Sequence, residues 1–110
     1  MSKYKAIRTT VNGITYDSKK EAEYGGKLDL LLRTGKIKDL NRQVRFCWSE
    51  IHFANDEQIE FKRKYIADFV YHDIKLNKIF IVDVKGFKTA EYKKKKKIVE
   101  KLFGIKITEI

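Results

Sequence analysis

The chain has 110 residues, of which 25 are lysine or arginine and 15 are aspartate or glutamate, so its formal net charge is +10. This length predicts a single domain over residues 1–110 with one modest core. The sequence has one cysteine and no apolar run long enough to span a bilayer, which excludes an intramolecular disulfide and predicts no membrane partner. The N-terminus lacks the apolar segment of a signal peptide, so we expect a cytoplasmic protein. A chain this basic attracts polyanions, and nucleic acid is the partner we expect; a surface that is basic only for solubility is the alternative.

The first third of the chain predicts a β-hairpin and then a helix. Asn12-Gly13 separates two short strand-like runs and suits a type I′ turn, so residues 4–16 are predicted to form the hairpin. Ser18-Lys19-Lys20-Glu21 matches a capping box, and the helix that it opens is predicted to run to about Thr34, with Gly35 as its stop. The inward stripe of this helix is predicted to contain Glu21, Gly25, Leu28, Leu31 and Leu32.

Three strands are predicted next. The first covers residues 37–48 and continues to Phe53 after an irregularity, with a turn at Asn55-Asp56. Strands over residues 58–71 and 78–85 follow, and the short connection between them predicts antiparallel pairing. The aromatic side chains expected in the core are Phe46, Trp48 and Phe53; an exposed member that stacks on a base is the alternative.

A second helix and a final strand complete the prediction. Thr89 is the expected cap of the helix, which ends near Gly104, and residues 105–110 alternate as a strand. A strand, helix, strand order of this kind predicts a right-handed parallel crossover.

Charged side chains occupy positions of two neighbouring strands that alternation places in the interior. Asp83 and Lys85 share one face of an otherwise apolar strand, since strand side chains alternate with a period of two. Asp68 falls on the Ile66 and Val70 side of the strand before it. Burying a charge is costly unless it is paired or bound to a metal, so this pattern indicates a divalent cation. A salt bridge between Asp83 and Lys85, or an edge pair facing water, is the alternative.

The order of the elements, with Asp68 on the second core strand and Asp83-Val84-Lys85 on the third, resembles the PD-(D/E)XK nuclease superfamily. More narrowly, the whole chain resembles a family of small phage and prophage proteins, long labelled only as a domain of unknown function, that is placed in that superfamily. The chain departs from the superfamily name at Ala67, where the name has proline. Four passages carry the resemblance: Asp17-Ser18-Lys19-Lys20-Glu21-Ala22, Gly35-Lys36-Ile37-Lys38-Asp39-Leu40, Tyr65-Ile66-Ala67-Asp68-Phe69-Val70-Tyr71 and Val82-Asp83-Val84-Lys85-Gly86.

This resemblance implies an α/β fold with an αβββαβ core, a mixed sheet flanked by helices, behind the N-terminal hairpin. It also implies a DNA endonuclease that hydrolyses phosphodiester bonds. Asp68, Asp83 and the backbone carbonyl of Val84 would hold Mg²⁺ or Mn²⁺, which makes a water easier to ionise and neutralises charge on the phosphate. Lys85 would orient or deprotonate that water, or stabilise the transition state.

The small size favours a structure-selective nuclease acting on branched or duplex DNA, in the manner of a Holliday-junction resolvase. A homodimer would supply the paired cuts that a junction requires. The alternative from another class is a non-catalytic nucleic-acid-binding or host-interaction protein that keeps the fold and uses its carboxylates structurally.

Glu21 has two interpretations. The capping box explains it if its side chain reaches back to the Ser18 amide. In the superfamily that the chain resembles, however, a glutamate of the first helix often completes the metal site. We favour this second interpretation and count Glu21 among the expected catalytic residues.

The lysine run at residues 93–97 surrounds the second helix. The stems of Lys95 and Lys96 are expected to lie against the core with their charged heads free, and together with Lys93 they are predicted to contact DNA phosphates. A solubilising charge run is the alternative. Gln43 on the first core strand is a candidate contact to the substrate or to a metal-bound water. The alternative, which we favour, is that Gln43 is simply a polar strand residue facing solvent.

Overall fold

The computed structural model describes residues 8–11, 13–16, 18–84 and 88–110. It contains a two-stranded hairpin followed by an α/β unit with a mixed sheet of four strands and two helices. The α/β class predicted from the sequence is confirmed. The elements are β1 (Thr9–Val11), β2 (Ile14–Tyr16), α1 (Lys19–Arg33), β3 (Ile37–Ala54), β4 (Glu57–Asp73), β5 (Lys78–Asp83), α2 (Ala90–Phe103) and β6 (Ile107–Glu109).

Both helices begin at the caps that the sequence predicts. Ser18 Oγ accepts the backbone N–H of Glu21 at 3.1 Å, and Thr89 Oγ1 accepts that of Tyr92 at 3.0 Å. These bonds satisfy donors that a helix N-terminus otherwise leaves without a partner. The α2 helix ends at Gly104, whose φ of +63° is readily available only to glycine.

The inward stripe of α1 is predicted correctly except at its end. Its buried residues are Glu21, Ala22, Gly25 and Leu28. Leu32 lies on the same side of the helix, yet it is 41% exposed, so its predicted burial is wrong. It belongs to the last turn of the helix, where less of the chain covers this side.

The four-stranded sheet has the order β3-β4-β5-β6. The strands β4 and β5 pair antiparallel, as predicted; β3 also pairs antiparallel with β4, and β5 pairs with β6 in parallel. The parallel crossover through α2 is therefore confirmed, and only residues 107–109 of the predicted final strand are paired.

One hydrophobic cluster lies on each face of the sheet. On one face, Leu28 of α1 packs with Phe69 and Val82. On the other, Val99 of α2 packs with Tyr65 and Ile107. The sheet is thus the middle layer between the two helices.

The β3–β4 hairpin is much longer than the rest of the sheet. Its pairs run from Ile37–Asp73 to Ala54–Glu57, whereas β5 pairs only with residues 69–73 of β4. Residues 47–64 therefore form a two-stranded ribbon beyond β5, and the molecule measures 57 Å along its longest axis. Asn55 and Asp56, both with positive φ, form the predicted turn at the tip.

Two predictions about β3 are wrong. Its register shift falls between Lys38 and Asn41, not before Ile51, and the strand is continuous to Ala54. Phe53 is 76% exposed and does not belong to the core, because it lies near the tip of the ribbon and beyond both clusters.

Candidate functional site

The regular alternation of side chains between the two faces of the sheet breaks in both β3 and β4 at one cross-strand position, where Gln43 lies opposite Asp68. We call this break the reversal. Towards the ribbon tip, Phe46 and Ala67 pack in the cluster under α2. On the other side of this position, Phe69 packs in the cluster under α1. Arg42, paired with Phe69, likewise reaches α1, because its guanidinium binds Asp29 of that helix.

The reversal keeps the register of the two strands, since Arg42 pairs with Phe69 and Val44 with Ala67. Gln43 accommodates it with a φ of +53°, a left-handed conformation that costs a non-glycine residue about 1–3 kcal/mol. Backbone strain of this kind concentrates at functional sites, and here it lies opposite Asp68.

Asp68 shares a face with Ile66, as predicted, but the prediction that Val70 shares this face is wrong. Val70 packs in the cluster under α2, whereas Ile66 alternates with two residues that pack there and so points to the opposite side. The break in alternation at Asp68 separates the two. No local sequence pattern signals such a break.

Two carboxylates link β4 and β5 where their backbone pairing ends, immediately after the Phe69–Val82 pair. Asp83 Oδ1 accepts the backbone N–H of Asp68 at 3.1 Å, and Asp68 Oδ2 accepts that of Val84 at 2.8 Å. These two bonds replace the backbone–backbone hydrogen bonds that the next residue pair of β4 and β5 would otherwise form. We call this arrangement the strand fork.

Both aspartates of the strand fork are buried, as the sequence predicts. Asp68 is 7% exposed and Asp83 is 0% exposed. Asp68 Oδ1 also lies 3.5 Å from the amide Nε2 of Gln43, which donates to it at the limit of hydrogen-bond distance. Each carboxylate is thus held by a backbone N–H from the strand of the other.

Asp83 is further connected to α2 and β6 by a chain of polar contacts. The Tyr92 hydroxyl lies 3.3 Å from Asp83 Oδ2 and donates to Glu109 Oε2 at 3.0 Å. Glu109 Oε1 in turn accepts a hydrogen bond from Lys96 Nζ at 3.0 Å. This contact chain joins the strand fork to the second helix.

The charges of this contact chain follow from its surroundings. Burial, and then the negative charges of Asp83 and Glu109, raise the pKa of Tyr92 well above its usual value, so the hydroxyl keeps its proton. The hydrogen bond from Lys96 lowers the pKa of Glu109, so this carboxylate stays ionised. The single proton of Tyr92 therefore lies between two carboxylates, with the shorter contact to Glu109.

A cavity of about 260 Å³ opens beside Asp68 on the α1 side of the sheet. Glu21 lines the same cavity and is only 5% exposed. The hydrogen bond that Ser18 Oγ accepts comes from the backbone N–H of Glu21, so this bond does not use the Glu21 carboxylate. The lining residues are Ile14, Thr15, Tyr16, Glu21, Arg42, Gln43, Asp68 and Phe69.

Arg42 is fixed in the wall of this cavity. Its Nε donates to the Tyr16 hydroxyl at 3.1 Å, and its Nη2 binds Asp29. Burial lowers the pKa of Arg42, but the hydrogen bonds to Asp29 and Tyr16 outweigh this effect and raise it, so the group stays cationic. Gly25 permits the arrangement, because a Cβ atom there would lie 2.5 Å from the Tyr16 oxygen.

The sequence patterns do not predict four neighbours of the site, which are Arg42, Tyr16, Tyr92 and Glu109. Their contacts span 13 to 26 residues around Arg42 and 9 to 17 around Tyr92, and no local motif encodes them. The one available signal is Gly25, a glycine on the inward face of a helix, which indicates close approach of another group.

The donor chemistry of the site fits a hard divalent cation. Within the described ranges, no three histidine, cysteine, aspartate or glutamate side chains converge closely enough to hold a metal by themselves. Mg²⁺, however, is commonly bound by one or two carboxylates together with waters and substrate phosphates. Asp68 and Asp83 supply two buried carboxylates at the same step of neighbouring strands, and a cation would relieve the cost of burying both charges.

The remaining predicted site residues have mixed outcomes. Lys85 lies outside the described residues, so its role stays a prediction, as does that of the Val84 carbonyl. The expectation that the Lys96 head is free is wrong, since Glu109 binds it, and Lys95 pairs with Glu91 at 3.4 Å. Lys93 is exposed.

The fold and the site define an α/β protein with a pair of buried carboxylates at the end of a strand ladder. Over residues 1–110 the chain matches the model of the family described as "Protein of unknown function (DUF1064)", and it belongs to that family. Searches of curated proteins and of solved structures each found no match. In the described part of the chain, neither helix has the length and apolar character needed to cross a membrane.

Proposed function

We propose that this protein is a metal-dependent endodeoxyribonuclease of the PD-(D/E)XK type, which hydrolyses phosphodiester bonds with Mg²⁺ or Mn²⁺. The observation that carries the proposal is the strand fork, where Asp68 and Asp83 are buried on adjacent strands and each accepts a backbone N–H from the strand of the other. Apolar residues would fill this position at lower cost, because burying carboxylates forfeits their hydration. A cation site gives these two residues a function.

The order of the elements supports the superfamily assignment. A helix, three antiparallel strands, a second helix and a parallel strand follow one another, and the two aspartates lie on the second and third strands. Glu21 of the first helix lines the cavity beside Asp68. These positions support the proposal that Glu21, Asp68 and Asp83 belong to one site, as the sequence resemblance implies.

Asp68, Asp83, Glu21 and the Val84 carbonyl are the groups that would hold the ion. Once bound, it would neutralise charge on the scissile phosphate and make a water easier to ionise. The backbone N–H groups of Asp68 and Val84 fix the orientation of the two aspartates, and Tyr92 restrains Asp83 from the other side. From its position in the sequence, Lys85 would orient the water or accept its proton.

The net charge of +10 favours a nucleic acid as the substrate. We propose that the substrate is DNA, either duplex or branched, and that the protein acts as a homodimer when it cuts both strands of a junction.

A non-catalytic nucleic-acid-binding protein is the second candidate. It is favoured by the fact that each aspartate of the strand fork already accepts a backbone N–H from the other strand. In that case the two carboxylates would only replace a step of the ladder. The same family membership is compatible with this function.

The two candidates separate in a cleavage assay on branched, duplex and single-stranded DNA, with Mg²⁺, with Mn²⁺ and with a chelator. We expect cleavage of at least one substrate with either metal and none with the chelator. Binding of DNA without cleavage under every metal condition would instead establish the non-catalytic candidate.

A further inference from the structure

The face of the β3–β4 pair that points away from α2 carries three cations in and next to the ribbon. Arg45 lies opposite Ile66, Cys47 opposite Lys64, and Ser49 opposite Lys62. These residues alternate with Phe46, Trp48 and Tyr65, which pack in the cluster under α2, so they point to the other side. We call the surface formed by Arg45, Lys62 and Lys64 the basic track.

The basic track lies on the same side of the molecule as the candidate site. Helices α1 and α2 pack on opposite faces of the sheet. The side turned away from α2 is therefore the side occupied by α1 and by the cavity beside Asp68. From Asp68 to Lys62 the strand advances about 20 Å, at about 3.4 Å per residue.

The cations of the basic track are exposed, and none of them forms an ion pair with another residue in the described ranges. Lys62 and Lys64 are about 7 Å apart along the strand, and Arg45 is a diagonal neighbour of Lys64 at about 7–8 Å. Like charges at this spacing repel one another, so their clustering favours a bound polyanion.

The shape of this face suits an extended partner. Cys47 and Ser49 are small, and a shallow depression of about 430 Å³ lies between them and the two lysines, also lined by Trp48 and Arg63. Beyond Lys62 the sign of the charge changes at Glu60, and the tip carries Asp56 and Glu57. The surface available to a polyanion thus runs from Lys62 towards Asp68 and not towards the tip.

The lysine-rich helix α2 is less suitable for the same partner. It packs on the opposite face of the sheet from the cavity. Two of its lysines, Lys95 and Lys96, are paired with Glu91 and Glu109. A phosphate backbone held there would be separated from Asp68 by the sheet.

We propose that Arg45, Lys62 and Lys64 bind the phosphate backbone of duplex DNA and align it so that a phosphate farther along the strand reaches Asp68. At an axial rise of about 3.4 Å per nucleotide, the 20 Å path corresponds to about six nucleotides of one strand. The identity of the partner rests on the proposed function, but binding is measurable without cleavage.

The test compares two triple variants that lose the same charge. The track variant combines Arg45→Ala, Lys62→Ala and Lys64→Ala. The control combines Lys93→Ala, Lys94→Ala and Lys97→Ala, three exposed lysines of α2 that form no ion pair in the described ranges. Binding to a fluorescent duplex is measured by anisotropy with a chelator present, between about 50 and 200 mM salt.

We expect the track variant to bind at least about tenfold more weakly and its log-log salt slope to fall by about 2.7, since each duplex phosphate contact contributes about 0.9. The control should lose less, because only its net charge changes. Thermal unfolding should be nearly the same for both variants and the wild type, because all six side chains are exposed.

The proposal is overturned if the control loses as much affinity and slope as the track variant, or more, or if the wild type binds no duplex. Failure of the nuclease proposal is recognised separately. A wild type that binds through the basic track but never cuts with Mg²⁺ or Mn²⁺ contradicts the nuclease and retains the track.

Discussion

The two ends of the β3–β4 hairpin differ in almost every physical respect. At the inner end, Ala67, Asp68 and Phe69 are three consecutive buried residues, and helices cover both faces of the sheet. At the outer end, residues 49–64 are exposed with the single exception of Glu50, which is intermediate. One continuous strand, β4, thus passes from a covered environment into solvent.

This difference explains why the charged residues of the two ends behave differently. A carboxylate at the inner end forfeits its hydration, so it needs bound partners, and Asp68 and Asp83 find them in each other's backbone. A cation at the outer end keeps its hydration and remains available to a ligand. The inner end should therefore govern chemistry and stability, and the outer end should govern binding.

The largest expected effect is on stability at the inner end. Phe69→Ala removes a ring that is fully buried in the cluster under α1, and it should lower the free energy of unfolding by about 3–5 kcal/mol. Phe53→Ala is the matched change at the outer end and should alter it by at most about 0.5 kcal/mol. Urea denaturation of both variants measures the difference. A large cost for Phe53→Ala would mean that the ribbon tip is covered in solution.

A smaller effect is expected where α2 contacts the inner end. Tyr92→Phe removes the hydroxyl that donates to Glu109 and lies beside Asp83, and it should lower the free energy of unfolding by about 1 kcal/mol. DNA binding in the presence of a chelator should not change, because the basic track is on the other side of the sheet. If Tyr92→Phe weakened this binding as much as the track variant does, the two sides would not be independent.

The smallest expected effect is a change of pH dependence. Lys96 lowers the pKa of Glu109 in the folded protein below its ordinary value of 4.5. Below pH 4.5 the unfolded chain takes up this proton before the folded chain does. The stabilisation is therefore present above pH 4.5 and is lost as the pH falls through the folded pKa.

Glu109→Gln removes this contribution, so the stability gap between wild type and variant should narrow on acidification below pH 4.5. Denaturation curves near neutral pH and well below pH 4.5 measure the gap. Glu91→Gln is the control, because its pair with Lys95 is exposed and contributes little at any pH. A gap for Glu109→Gln that stays constant would show that the Lys96 contact does not stabilise the fold.

Local signals in the sequence predict much of this fold. Ser18, Thr89 and Gly104 mark helix ends through contacts within one turn, and Asn55-Asp56 marks a hairpin by its tolerance of positive φ. The burial of Asp68 and Asp83 follows from the apolar residues around them. Each of these signals lies within a few residues of the feature that it predicts.

The features that sequence reasoning missed depend on distant parts of the chain. The reversal at Gln43 depends on both helices, because residues of the same strand pair pack under α1 on one face and under α2 on the other. The contacts of Arg42 with Tyr16 and Asp29 join three elements. The basic track is visible only when the register aligns Arg45 with residues about 20 positions later in the chain.

The central claim is that the buried carboxylates of the strand fork perform metal-dependent cleavage. Its most direct test is DNA cleavage by the wild type, Asp83→Asn and Lys85→Ala, combined with calorimetric titration of Mn²⁺ into each protein. Asp83→Asn should cut at least about 100-fold more slowly, since losing even a residue that supports a metal ligand costs 10–100-fold, and it should bind the ion more weakly. Lys85→Ala should also lose cleavage but keep its affinity for the ion, because the oxygen ligands remain. Both variants should bind DNA as the wild type does. Cleavage at the wild-type rate by both variants would contradict the claim and leave the strand fork a structural element.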